Sequence, residues 1–168
     1  MLKEKFRWVI GPMFKKILVP YDGSKHAEIA LSRAIYLAKL IKGSEVVILT
    51  VLEGVNTPTL IFDRKVRNYK TGEATTLSSY IKDLQKDMRN KMTKRLNELR
   101  QRYDNSVQIR TLVSVGRPEV KIIECANNLH SDIIVMGSRG LKGISKLLMG
   151  SVSRKVSERV NCTVMIVR

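Results

Sequence analysis

The sequence predicts one α/β domain built on a parallel β-sheet that is covered on both faces. Two apolar runs, Lys16 to Tyr21 (KILVPY) and Glu45 to Leu52 (EVVILTVL), are too continuous for strands with one wet face and suit strands buried on both. A segment with helical spacing lies between them, so the order is strand, helix, strand, the unit from which parallel sheets with right-handed crossovers are made. A chain of 168 residues with 43% hydrophobic residues is the size of one compact domain, which buries roughly 70% of the surface its unfolded form exposes.

Residues 1–12 are expected to be an N-terminal extension, either an extra arm or the product of an upstream start codon, and the domain proper is expected over 13–168, its first strand starting just after Met13. In the first helix Ala27, Ala30, Leu31, Ala34, Ala38 and Ile41 recur three and four apart, with Ser24 as N-cap and Gly43 as the stop. Residues 53–75 are polar, basic and punctuated by Gly and Pro, which predicts a long loop able to act as a mobile flap. Leu77, Ile81, Leu84, Met88, Met92, Leu96, Leu99 and Tyr103 then mark one face of a long helix, the methionines as core filler and the charges as a solvated face.

Val107, Ile109, Thr111 and Val113 alternate with polar residues, the pattern of a strand with one face partly wet, hence an edge. Pro118 suits the first turn of a helix running to about His130. The apolar Ile133 to Met136 follows, then a helix from Ser151 with Val152, Val156 and Val160 inward, and Thr163 to Val167 as the fifth strand.

The net charge is +16, and basic residues exceed acidic ones by 9 to 5 over 1–60, 13 to 6 over 61–110 and 9 to 4 over 111–168, so no separate basic tail exists. Such a field draws polyanions, but aromatics make up only 5% and are not interleaved with Arg or Lys, which argues against a nucleic-acid stacking platform. Cys125 and Cys162 are far apart and outside any CxxC spacing, so neither a disulfide framework nor a zinc site is signalled. Apolar runs are too short to span a bilayer, and no signal-peptide pattern is present. A soluble, cytoplasmic protein is the expectation.

After the fourth strand comes VMGSRGLKGISKLLMGSVSRKV, in which Gly137, Gly140, Gly150 and Ser151 form G-x2-G-x9-G-S. Gly137 at the carboxyl end of a buried strand leaves backbone bare where open parallel sheets bind ligands, and Gly150 and Ser151 open a helix whose free amides favour a phosphate. The plainer alternative is that the glycines end a strand and make turns while Ser151 is an N-cap. The motif is neither a Walker A loop nor a Rossmann GxGxxG. Arg139, Lys142 and Lys146 lie between the glycines and are candidates for added phosphate contacts, whereas His26 and His130 are placed on helices away from the motif.

From Lys15 to Arg168 the chain resembles the universal stress protein family (UspA-like), on KKILVPYDGS, VGRPEVKIIECA, SDIIVMGSRG, LLMGSVSRKV and CTVMIVR. In that family the intact G-x2-G-x9-G-[ST] motif marks the members that bind ATP. The resemblance implies a five-stranded parallel sheet of order 3-2-1-4-5, Rossmann-like and akin to the adenine nucleotide alpha hydrolases. It implies that Asp22 meets the nucleoside beside Pro20, and that the backbone of Val51 reads the adenine edge. Met136, Gly137, Ser138 and Gly140 then follow ribose and α-phosphate, and Gly150, Ser151 and Val152 the outer phosphates, where Mg²⁺ or Mn²⁺ bridges oxygens. Without the resemblance Asp22 is a turn residue that caps the next helix and Val51 is core.

The function expected is nucleotide-dependent regulation in a stress response, with ATP, AMP or ADP as ligand. No general base, nucleophile–histidine pair or carboxylate pair stands near the motif, so the chain is not expected to be an enzyme beyond slow hydrolysis. The fifth strand is a short apolar edge whose pairing with a second copy gives a homodimer, as the family also implies. The competing reading is a basic binding or scaffolding module for nucleic acid or a protein partner, with structural glycines.

Overall fold

The computed structural model describes residues 14–54, 64–68, 71–103, 107–141 and 149–168. Residues 1–12, residues 55–63 and 69–70 of the expected flap, and Lys142 and Lys146 lie outside the described residues. Five parallel strands form the central sheet: β1 (Lys16–Pro20), β2 (Glu45–Leu52), β5 (Gln108–Val115), β6 (Ile133–Gly137) and β7 (Thr163–Val167), in the order β5-β2-β1-β6-β7. This is the expected 3-2-1-4-5 sheet, with β5 and β7 at its edges. The separate strands β3 (Lys65–Arg67) and β4 (Ala74–Thr76) form an antiparallel hairpin.

That hairpin corrects the expectation of a loop throughout 53–75. Its strands are three residues each, too short to write an alternating pattern into the sequence. Asn68 N–H donates to the Glu73 carbonyl at 2.9 Å, and Gly72 turns the chain at φ +73. The hairpin runs directly into α2 (Leu77–Gln101), whose first turn Thr76 caps by accepting from Ser79 N–H at 3.3 Å.

Helices α1 (Lys25–Leu40) and α2 cover one face of the sheet, and α3 (Pro118–Leu129) and α4 (Ser151–Ser157) the other. Alternation along β1 divides the core between them. Ile17, Val19 and Tyr21 pack with Ala30, Leu31, Ala34, Leu96 and Leu99 under α1 and α2, while Leu18 points to the cluster of Ile122, Ala126, Met136 and Val156 under α3 and α4. On α2 only Leu96 and Leu99 are buried, and Met88 is half exposed. The expected filler role is therefore wrong for Met88, because the N-terminal part of this 25-residue helix is not buried against the sheet. Among the described residues no helix is long and apolar enough to cross a membrane.

Candidate functional site

The carboxyl ends of β1 and β6 are neighbours at the point where the chain's crossovers change direction, the place where open parallel sheets accept ligands. Beyond Pro20, the Tyr21 N–H continues the ladder to the Leu49 carbonyl at 2.8 Å, and Gly23 turns the chain at φ +82. Ser24 caps α1, its hydroxyl accepting from Ala27 N–H at 3.2 Å. The Asp22 carboxylate accepts from Ser24 N–H through Oδ1 at 2.9 Å, and through Oδ2 from Leu141 N–H at 3.1 Å. Asp22 thus does what an aspartate in a turn does locally, and in addition holds the loop that follows β6, 119 residues away.

Each motif glycine has a steric reason. A Cβ on Gly140 would stand 2.5 Å from Asp22 Oδ2, so the carboxylate reaches the loop only because no side chain is there. At Gly137 a Cβ would lie 2.7 Å from His26 Cβ and 2.9 Å from the His26 carbonyl carbon. The room beside Gly137 is therefore filled by the first turn of α1, and His26, expected away from the motif, presses directly on it. A Cβ on Gly150 would meet the Ser138 carbonyl oxygen at 3.1 Å.

That carbonyl joins the two limbs of the motif. It accepts from Gly150 N–H at 2.7 Å and from the Ser153 hydroxyl at 3.1 Å, while Ser138 N–H donates to the Val167 carbonyl at 2.7 Å. Ser153 is buried and also lies 3.0 Å from the Gly150 carbonyl. Gly150, not Ser151, is the N-cap of α4, and Ser151 is exposed at the first helical position. Ser138 Oγ is buried and has no hydrogen-bond partner among the described residues. Val51 and Val152 pack against the core cluster that contains Met136, and Pro20 stands half-buried on β1 beside Leu49 of β2. Arg139 is half-buried, its carbonyl 3.5 Å from the Ser24 hydroxyl. His130 is an exposed left-handed cap at the end of α3.

Two features went unread in the sequence. Ser153 follows Gly150 at the third helical position, where a hydroxyl can turn back to the cap, and GSVS was the only signal of it. Glu119, at the start of α3, is buried and receives Arg117 at 2.7 Å and Lys155 of α4 at 3.0 Å. Its own backbone N–H, then the Lys155 hydrogen bond, hold its carboxyl down at about 2 against the opposing effect of burial, with Arg117 adding a smaller pull. This pair ties α4, and so the Gly150 limb, to α3. Burial pushes both cysteine thiols up, which keeps them poor nucleophiles. Among the described residues no group of three or more His, Cys, Asp or Glu is gathered as a metal site.

The model of the Universal stress protein family matches residues 13–168. The chain belongs to the universal stress protein family. It is 31% identical over 161 residues to universal stress protein MJ0577 of Methanocaldococcus jannaschii, covering 93% of this chain and 96% of that one. With universal stress protein YxiE of Bacillus subtilis it shares 31% identity over 157 residues, covering 93% and 100%. The solved structure of MJ0577 superposes with a TM-score of 0.72 at 27% identity over 92% of this chain and 96% of that chain. A universal stress protein solved in complex with cAMP has the same fold, with a TM-score of 0.62 at 22% identity over 93% and 98% of the chains. The parallel sheet and its strand order are thus those of universal stress proteins.

Proposed function

We propose that this universal stress protein binds an adenine nucleotide, ATP or with fewer phosphates AMP or ADP, across the carboxyl ends of β1 and β6, as a regulatory module of the cytoplasmic stress response. The observation that carries the reading is the closure of G-x2-G-x9-G-S: the Ser138 carbonyl joins Gly150 to the end of β6 while Asp22 faces Gly140. Each carboxylate oxygen of Asp22 has a second lone pair free for a nucleoside hydroxyl. Pro20 would wall the nucleoside, the Val51 backbone would read the adenine edge, and Met136, Gly137, Ser138 and Gly140 would follow the ribose and α-phosphate. The amides of Ser151 and Val152, beside Gly150, have no partner four residues back within α4 and are available to the outer phosphates. Mg²⁺ or Mn²⁺ would arrive with the nucleotide and neutralise phosphate charge. The relative solved with cAMP supports an adenine ligand.

We read the module as a binder that at most hydrolyses ATP slowly, and as a homodimer paired through β7. The test is calorimetric titration of Mg-ATP at moderate and high salt into the wild type, Gly150→Asp and Ser151→Ala. One salt-resistant site per chain is expected, weakened at least about tenfold by Gly150→Asp, which sets a carboxylate beside phosphate. Ser151 is exposed, so Ser151→Ala should weaken binding severalfold while melting as the wild type does. Absence of salt-resistant binding in the wild type would leave the basic scaffolding module as the better reading.

A further inference from the structure

On the sheet face opposite α3 and α4, helices α1 and α2 leave a cleft of about 540 Å³. Buried Tyr21 and Leu99 form its floor, and four exposed cations line it: Lys91, Lys94 and Arg95 of α2, and Arg102 at the helix's C-cap. The first three stand at i, i+3 and i+4, and Arg102 lies two turns beyond Arg95, so one helix face gathers them. Glu28 of α1 and Glu98 of α2 also line the cleft.

We infer that this cleft is a second anion site, which takes a free, phosphate-bearing small molecule independently of the motif at β6. Four acids elsewhere are held in ion pairs: Glu45 with Arg110, Glu119 with Arg117 and Lys155, Glu124 with Lys121 and Glu158 with Arg154. Among the described residues no ion pair joins Glu28 or Glu98 to the four cations, although Glu98 is one helical turn from Lys94, Arg95 and Arg102. Four cations less two carboxylates leave a net charge of +2, which matches one phosphomonoester dianion. Like charges at i and i+4, as at Lys91 and Arg95, repel until an anion sits between them. Arginine forks suit phosphate oxygens.

Tyr21 supplies a neutral donor. Burial raises its hydroxyl's pKa, Glu28 raises it further, and Arg95 and Arg102 are close enough to pull against that rise. The cleft is separated from the nucleotide motif by a single turn. Arg95 Nη2 is 3.7 Å from where a Cβ of Gly23 would be, and the preceding residue, Asp22, faces Gly140 and Leu141.

Inorganic pyrophosphate is the probe, titrated at fixed moderate salt by calorimetry and by amide chemical shifts. Three variants are compared with the wild type: Gly150→Asp, the cleft pair Arg95→Gln/Arg102→Gln, and the control pair Lys65→Gln/Arg67→Gln on exposed β3 positions. Saturable binding that shifts Tyr21, Arg95 and Arg102, persists in Gly150→Asp and the control, and falls at least about tenfold in the cleft pair at unchanged melting temperature is expected. Loss of all pyrophosphate binding in Gly150→Asp would assign the anion to the motif. Equal weakening in the control pair would show attraction by net charge alone, and no saturable binding would show no site; each of these overturns the inference.

Discussion

Glu119 is the only charged residue buried among the described residues, and its role was invisible in sequence because Lys155, its partner on α4, is 36 residues away. A carboxylate whose folded pKa is depressed contributes stability that is present above its unfolded value and lost as pH falls through the folded one. Here the window runs from the ordinary 4.5 down to about 2. Glu119→Gln should therefore lower stability near neutral pH by about 1–2 kcal/mol, the hydrogen bonds being trimmed by solvent around Arg117 and Lys155. Urea denaturation of both proteins across pH should show the gap closing inside that window; a gap independent of pH would mean that packing, not charge, is lost. Asp22 contrasts with Glu119, since PYDGS announced a turn aspartate, and only its second oxygen, on Leu141 N–H, came as news.

Among the elements, α1 packs closely against β6 at the motif. At Gly137 the added methyl of an alanine would meet the His26 carbonyl carbon at 2.9 Å and the Ala27 nitrogen at 3.1 Å, both backbone. Gly137→Ala should accordingly cost about 1–3 kcal/mol of overpacking, read as a shift of the urea midpoint. His26→Ala in the same chain should not restore it, because trimming a side chain does not move the helix backbone. The periodicity of α1, its Ser24 cap and Pro118 at the start of α3 were all legible, since each is a local signal. The β3–β4 hairpin was not, its three-residue strands being held by pairing across the turn rather than by burial.

In the whole molecule both sheet edges belong to strands that the sequence placed there. Arg110 and Glu45 form an ion pair at 3.2 Å across β5 and β2, which charges one edge, whereas β7 presents Met165 at 40% exposure. An apolar unpaired edge invites another strand, and we propose β7 as the homodimer seam. Light scattering should find the wild type dimeric and Met165→Asp monomeric at the same concentration. A monomeric wild type would overturn the seam.

The sequence by itself determined the parallel sheet, the helices between its strands and the G-x2-G-x9-G-S motif, because continuous apolar runs, 3.6-residue spacing and glycines are written in neighbouring residues. Tertiary structure alone decided what each glycine is for. Gly140 admits the Asp22 carboxylate, Gly137 admits the backbone of α1, and Gly150 closes onto the Ser138 carbonyl. These partners lie as far as 118 residues away along the chain, and the basic cleft over Tyr21 likewise exists only once α2 has folded across from α1. Spacing records which residues are small; only the packed chain shows what stands next to them.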